Sequence, residues 1–206
     1  MSALATEHQA INLGQGFPDF PCDRKLITSV NNAMLTDHNQ YPPMAGIAEL
    51  RNGVSQKIQN LYGHYYDPDS EITITAGGTQ GILTTILACV NPGDEVIIPT
   101  PCFVAYQAEV YLAGGVPVEI PSRMENQFQV DPDEIRAAIT PRTKAIFIGY
   151  PSNPTGAVAE RETLLEIANI AIEHDLVVVS DEIYDRLVYG FKHVCFPSFG
   201  EEVRKR

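Results

Sequence analysis

Two runs constrain the fold more than any other feature of the chain: KAIFIGYP, residues 144–151, and LVVVS, residues 176–180. Both are nearly continuous in apolar, largely β-branched residues and lack the alternation of a strand with one wet face. Each therefore reads as a strand covered on both sides. Between them, ERETLLEIANIAIEHD places Leu164, Leu165, Ala168, Ala171 and Ile172 on one side of a helix. Strand, helix and second doubly covered strand make the unit of a parallel sheet.

The theme recurs along the chain. In GIAELRNGVSQKIQNLYG the apolar residues Ile47, Leu50, Val54, Ile58 and Leu61 keep helical spacing, and Gly63 follows as a C-cap. ITIT, residues 72–75, reads as a strand, Ala76-Gly77-Gly78 as a turn and Gly81 to Val90 as a helix. Asn91-Pro92-Gly93 turns into a short strand at Val96 to Ile98. A helix over Val104 to Leu112, a strand at VPVEIP and a helix at DPDEIRAAI complete the pattern, with Asp131 as cap and Pro132 in first position. The expectation is a three-layer α/β/α fold with a mainly parallel sheet.

At 206 residues, 44% of them apolar, the chain is long enough for one large domain or two small ones with a sizeable core. Acidic residues outnumber basic ones, 26 to 14, and no basic run is present, so nucleic acid is not an expected partner. Cys22, Cys89, Cys102 and Cys195 form no CxxC pair, which points to a reducing, cytoplasmic compartment. No apolar run is long enough to span a bilayer, and MSALATEH has neither the basic head nor the apolar stretch of a signal peptide; no membrane partner is expected. None of the five histidines sits in a ligand spacing, so no metal is assigned.

In a parallel sheet, ligands bind beyond the carboxyl ends of the strands. That rule selects Ala76 to Gln80, Gly149 to Gly156 and Ser180 to Tyr184. Gly77-Gly78-Thr79 at a helix start either makes a phosphate cup from converging N–H groups or is a tight turn. Asn153, between two prolines, is either a rigidly held amide or an Asn-Pro turn. Asp181 leaves an apolar strand with Tyr184 three residues on. It is either a helix cap after the strand or a charge awaiting a cation, since a carboxylate there is costly unless paired. Adjacent in sequence, Asp181 and Glu182 diverge and make a poor shared-proton or metal pair.

INLGQGFPDFP, QYPPMAGIAELR, ITAGGTQ, GDEVIIPTPCFVAY, YPSNPTGAV and VVVSDEIY, in this order from Ile11 to Tyr184, resemble segments of the class I/II aminotransferases. These are fold type I enzymes that use pyridoxal 5'-phosphate, and the likeness extends to their kynurenine and methionine aminotransferase-like branch. The resemblance implies that Asp181 pairs with the protonated ring nitrogen of the cofactor and that Tyr184 and Asn153 hydrogen-bond its phenolic oxygen. It further implies that Phe103 stacks on the ring and that Gly78, Thr79 and Gln80 hold the phosphate. Tyr41 would reach the phosphate of a neighbouring subunit in a homodimer, and Gly16 and Asn153 would meet the substrate. The implied reaction moves an amino group from an amino acid to a 2-oxo acid.

The family's Schiff-base lysine lies in a Ser-x-x-Lys segment a few dozen residues beyond the Asp-Tyr strand. None of Lys25, Lys57, Lys144, Lys192 and Lys205 lies in such a segment. The expectation is a fragment, inactive alone, in which residues 1–40 contribute to the small domain and 41–206 form the N-terminal part of the cofactor-binding domain. Such a piece should expose apolar edges and faces. A carbon–sulfur β-lyase on the same fold and a non-catalytic cofactor-binding remnant are the alternative readings.

Overall fold

The computed structural model describes every residue except Gln15, Phe17 and Asp19, three positions of the LGQGFPDF segment. The chain divides into two compact units, Met1–Pro42 and Pro43–Arg206. The first holds α1 (Ser2–Glu7) and α2 (Arg24–Leu35), and the Asp23 carboxylate accepts from the Lys25 amide to cap α2. The sequence reading did not single out α2. Its Leu26, Ile27, Val30 and Met34 follow helical spacing yet all are exposed, and no residue of α2 is buried.

The second unit runs α3 (Ala48–Tyr62), α4 (Gly78–Cys89), β1 (Glu95–Thr100), α5 (Ala105–Leu112), β2 (Val116–Pro121), α6 (Pro132–Ala138), β3 (Thr143–Gly149), α7 (Arg161–Glu173), β4 (Val177–Asp181) and α8 (Glu201–Arg204). Gly63 ends α3 in the left-handed conformation, and Asp131 caps α6 with Pro132 in its first turn. The four strands form one sheet in the order β2-β1-β3-β4, every pair parallel.

The pleat sorts side chains between two cores. Val96 and Ile98 of β1 and Ala145 and Phe147 of β3 pack with Ile86 of α4 and Tyr106 and Val110 of α5. Ile97, Ile146 and Ile148 face the other way, against Ile135 of α6 and Leu164, Ile167, Ala168 and Ala171 of α7. The sheet is thus covered on both faces by helices, as the near-continuous apolar strands require. The buried stripe of α7 is rotated from the expected one: Ile167 and Ile170 are buried, whereas Leu165 and Ile172 are exposed.

The expected strand at residues 72–75 is absent. The segment joins no ladder among the described residues, and the Ile74 amide donates instead to the Ala45 carbonyl at 2.9 Å. β-propensity describes fit to a pleated surface beside a partner, and without the partner ITIT remains irregular. Among the described residues no helix is long and apolar enough to cross a membrane.

Phe147 is fully buried and stacked on Tyr106, with ring centroids 4.5 Å apart at 12°. Phe147→Ala should cost about 3–5 kcal/mol of unfolding free energy in urea titrations. Leu165→Ala, on the exposed side of α7, should cost less than about 1 kcal/mol. Equal losses for the two would contradict the two-core arrangement.

Candidate functional site

The sheet order makes β1 the turning point of the topology: the chain leaves β1 for β2 on one side and later places β3 on the other. At such a point the segments after neighbouring strands part and leave a crevice. Phe103 leaves through the segment after β1, Asn153 through that after β3, and Asp181 and Tyr184 stand at the end of β4. A cavity of about 470 Å³ is lined by Gly78, Thr79, Phe103, Asn153, Asp181 and Tyr184, with Ile82, Tyr106, Gly149, Pro151 and Ile183 completing its walls. Six residues singled out from the sequence therefore meet in one space, of a size usual for small-ligand sites.

One end of the cavity is the start of α4. Gly77 precedes the helix at φ 87, a conformation that glycine adopts without strain, and Thr75 donates its hydroxyl to the Gly77 carbonyl at 2.9 Å. The amides of Gly78, Thr79 and Gln80 donate to no acceptor among the described residues, while Gly81 is the first to bond back, to Gly77. Three uncommitted N–H groups at the positive end of a helix dipole suit an anion. This cluster does not follow a strand, since residues 72–75 form none, yet it reaches the same cavity. The Gln80 side chain does not line the cavity; it turns back to accept from the Ala76 amide.

At another wall, the Asp181 carboxylate accepts from the Tyr106 hydroxyl at 2.7 Å through Oδ2 and from the Ile183 amide at 3.2 Å through Oδ1. Asp181 caps a turn rather than a helix. Two of the roughly four acceptor directions of a carboxylate are thus used, leaving the others for a cation in the cavity. Burial first, and then Asp181, push the Tyr106 phenol well above its ordinary pKa, so it remains a donor. The Asn153 amide and the hydroxyls of Tyr184 and Thr79 make no hydrogen bond among the described residues.

Glu182 points the other way. Its Oε1 accepts from Ser180 Oγ and the Phe196 amide, both at 2.8 Å, and its Oε2 lies 2.7 Å from His193 Nε2. Burial would raise the Glu182 carboxyl, but His193, the Phe196 amide and Ser180 outweigh it and hold the pKa below its usual value. Asp185 accepts from Tyr62 of α3 at 2.6 Å and lies 3.5 Å from Lys57. Tyr184 therefore sits on a turn braced on either side by an anchored acid. The sequence reading singled out Asp181 and the segment beginning at Gly149, both of which line the cavity, but not Tyr106. The available signal for Tyr106 was its position in the first turn of the helix that follows Phe103, three residues on.

Gly16 and Tyr41 belong to the first unit, where both are exposed, Tyr41 fully.

The model of the family "Aminotransferase class I and II" matches residues 8–202. An aspartate aminotransferase of Bacillus subtilis is 38% identical over 203 residues, 98% of this chain and 51% of that protein. A probable N-succinyldiaminopimelate aminotransferase of Mycobacterium tuberculosis is 42% identical over 97% of this chain and 51% of its own length. Among solved structures, N-succinyldiaminopimelate aminotransferase from Mycobacterium tuberculosis superimposes with a TM-score of 0.91 at 40% identity, covering 95% of this chain and 52% of that one. Aspartate aminotransferase from Thermus thermophilus with maleate gives 0.90 at 39%, covering 96% and 52%. The chain spans about half the length of the relatives it matches.

A Glu182 carboxyl held below its ordinary value of 4.5 contributes stability that is present above that pH and lost as pH falls through the folded value. Urea midpoints of the parent chain should therefore drop below about pH 4.5. Glu182→Gln should be less stable by about 2 kcal/mol at pH 7 and flatter in the acid range. Parallel acid profiles for the two would remove Glu182 from this role.

Proposed function

This chain belongs to the class I and II aminotransferases, and on that premise we propose that it is the cofactor-binding part of an enzyme moving an amino group from an amino acid to a 2-oxo acid. Members of the family depend on pyridoxal 5'-phosphate. The chemistry of the donor set fits that molecule: an anionic phosphate, a flat ring, a basic ring nitrogen and a phenolic oxygen. Uncommitted amides of Gly78, Thr79 and Gln80, with the Thr79 hydroxyl, would hold the phosphate. Asp181 would face the ring nitrogen, Phe103 would cover one ring face, and Tyr184 and Asn153 would donate to the phenolic oxygen. The observation that carries the reading is the meeting, in one cavity, of the free helix-start residues Gly78 and Thr79 with a carboxylate held by two donors.

When bound, the cofactor supplies an electron-accepting ring for the bond broken at the amino acid's α-carbon. The chain's own residues prepare for that chemistry. Asp181 places its carboxylate where a protonated ring nitrogen would sit, in a pocket whose apolar walls would strengthen the attraction. Tyr184, fixed by the braced turn, would present its hydroxyl to the phenolic oxygen, and Asn153 an amide from the segment after the neighbouring strand β3. Phe103 excludes water from the ring face.

The proposal extends to the assembly. Residues 1–40 would belong to the small domain and 41–206 to the cofactor domain, a division supported by the break between compact units at Pro42. Exposed Tyr41 would serve a partner subunit in a homodimer, with Gly16 meeting the substrate. Four unpaired cysteines support a cytoplasmic setting. No lysine lines the cavity among the described residues, so the 206-residue chain should hold the cofactor without covalent attachment and without turnover.

Titrating the chain with pyridoxal 5'-phosphate should give reversible binding that Asp181→Ala weakens by about tenfold or more, the loss of a charge-assisted pairing. Borohydride treatment should fix no single lysine. Unchanged affinity in Asp181→Ala, or one lysine modified stoichiometrically, would overturn the reading.

A further inference from the structure

Asp181 receives its stronger hydrogen bond from a residue of a different layer. Tyr106 rises from α5, lies nearly parallel to Phe147 of β3 and sets its edge against Phe103, with centroids 5.7 Å apart at 72°. Its ring is 5% exposed, and its hydroxyl crosses the end of β3 to reach Asp181 Oδ2 at 2.7 Å. The crossing point is Gly149, which pairs directly with Asp181 in the β3–β4 register. A Cβ built on Gly149 would stand 2.9 Å from the Tyr106 hydroxyl oxygen, closer than such atoms tolerate. Gly149 does not have the positive φ that would demand glycine on conformational grounds. Its missing side chain answers a need for space.

We propose that Tyr106 is a positioning residue for the cofactor: its hydroxyl orients the Asp181 carboxylate and aims it into the cavity, and Gly149 provides the clearance for that contact. The inference rests on the cofactor reading of the cavity. A carboxylate facing a protonated ring nitrogen in a poorly solvated pocket can take the proton, leaving two neutral groups. Donors on the carboxylate oppose that transfer because they favour its charged form. Asp181 has two such donors, Tyr106 Oη and the Ile183 amide, and the phenol is the shorter bond. Tyr106 thus governs the protonation of the ring through Asp181.

The test uses the full chain and pyridoxal 5'-phosphate labelled with ¹⁵N in the ring. Tyr106→Phe keeps the stack on Phe147 and removes only the hydroxyl. It should bind the cofactor about tenfold more weakly, with the ring ¹⁵N signal moved toward that of neutral pyridine. Gly149→Ala, which adds one methyl and leaves the phenol in the chain, should produce both changes. Tyr62→Phe removes a phenol–carboxylate bond of the same kind, to Asp185 at 2.6 Å, outside the cavity; it loosens the turn that carries Tyr184 but leaves Asp181 its donors, so the ring ¹⁵N signal should stay in place. An unshifted ¹⁵N signal in Tyr106→Phe, or an equal shift in Tyr62→Phe, overturns the proposal. Should the parent chain take up no cofactor, the cofactor reading fails, and proton NMR of the free chain still decides the contact. A protected Tyr106 hydroxyl proton, lost in Gly149→Ala and in Asp181→Ala, supports it; its absence from the parent chain refutes it.

Discussion

Because β1 and β3 are covered on both faces, their backbone N–H and C=O groups have no water to turn to and must be satisfied in the ladder. That requirement holds the strands parallel and in register, and the register in turn decides what can meet at their ends. Gly149 lies opposite Asp181 as a direct consequence. Phe103, Asn153 and Asp181 converge because three consecutive places in the sheet order release their chains toward one crevice. The apolar interior thus fixes the geometry of a polar site to which it contributes few atoms.

The site separates two carboxylates that the chain presents side by side. Asp181 faces the side of α4 and α5, where Tyr106 supports it; Glu182 faces the side of α6 and α7, where His193, Ser180 and the Phe196 amide absorb its charge. One is kept available and the other is spent on structure. Asp185, tied to Tyr62 and Lys57, fastens the intervening turn to α3. Electrostatics that look alike in composition therefore serve different ends once placed.

Much of this was legible in the sequence. Periodicity located α3 through α7 and the four strands, because doubly buried strands and amphipathic helices leave patterns that local composition alone determines. Asp181 stood out because a charge at the end of VVVS is costly without a partner. The misses have a common cause: they depend on who the neighbour is. ITIT has strand propensity but no strand beside it. Leu165 and Ile172 satisfy helical spacing, yet the face that packs is set by where the sheet lies. Tyr106 is ordinary in a one-dimensional reading and acquires meaning from a contact spanning 75 residues of chain. Gln80, which the resemblance assigned to the phosphate, turns its side chain back to the Ala76 amide, a local contact that spacing does not reveal.

The pleat of β4 sends Val177, Val179 and Asp181 to one layer, and Val178, Ser180 and Glu182 to the other. Identity at these positions matters less than odd or even count from the strand's start. Deleting or inserting one residue inside β4 would exchange the two acids, pointing the longer side chain into the crevice and the shorter one toward His193. The same change of length at the Asp175 bend, before the ladder begins, could be absorbed without altering which acid faces which layer. Tolerance to length variation should therefore change abruptly across Leu176, the one residue between that bend and the counted strand.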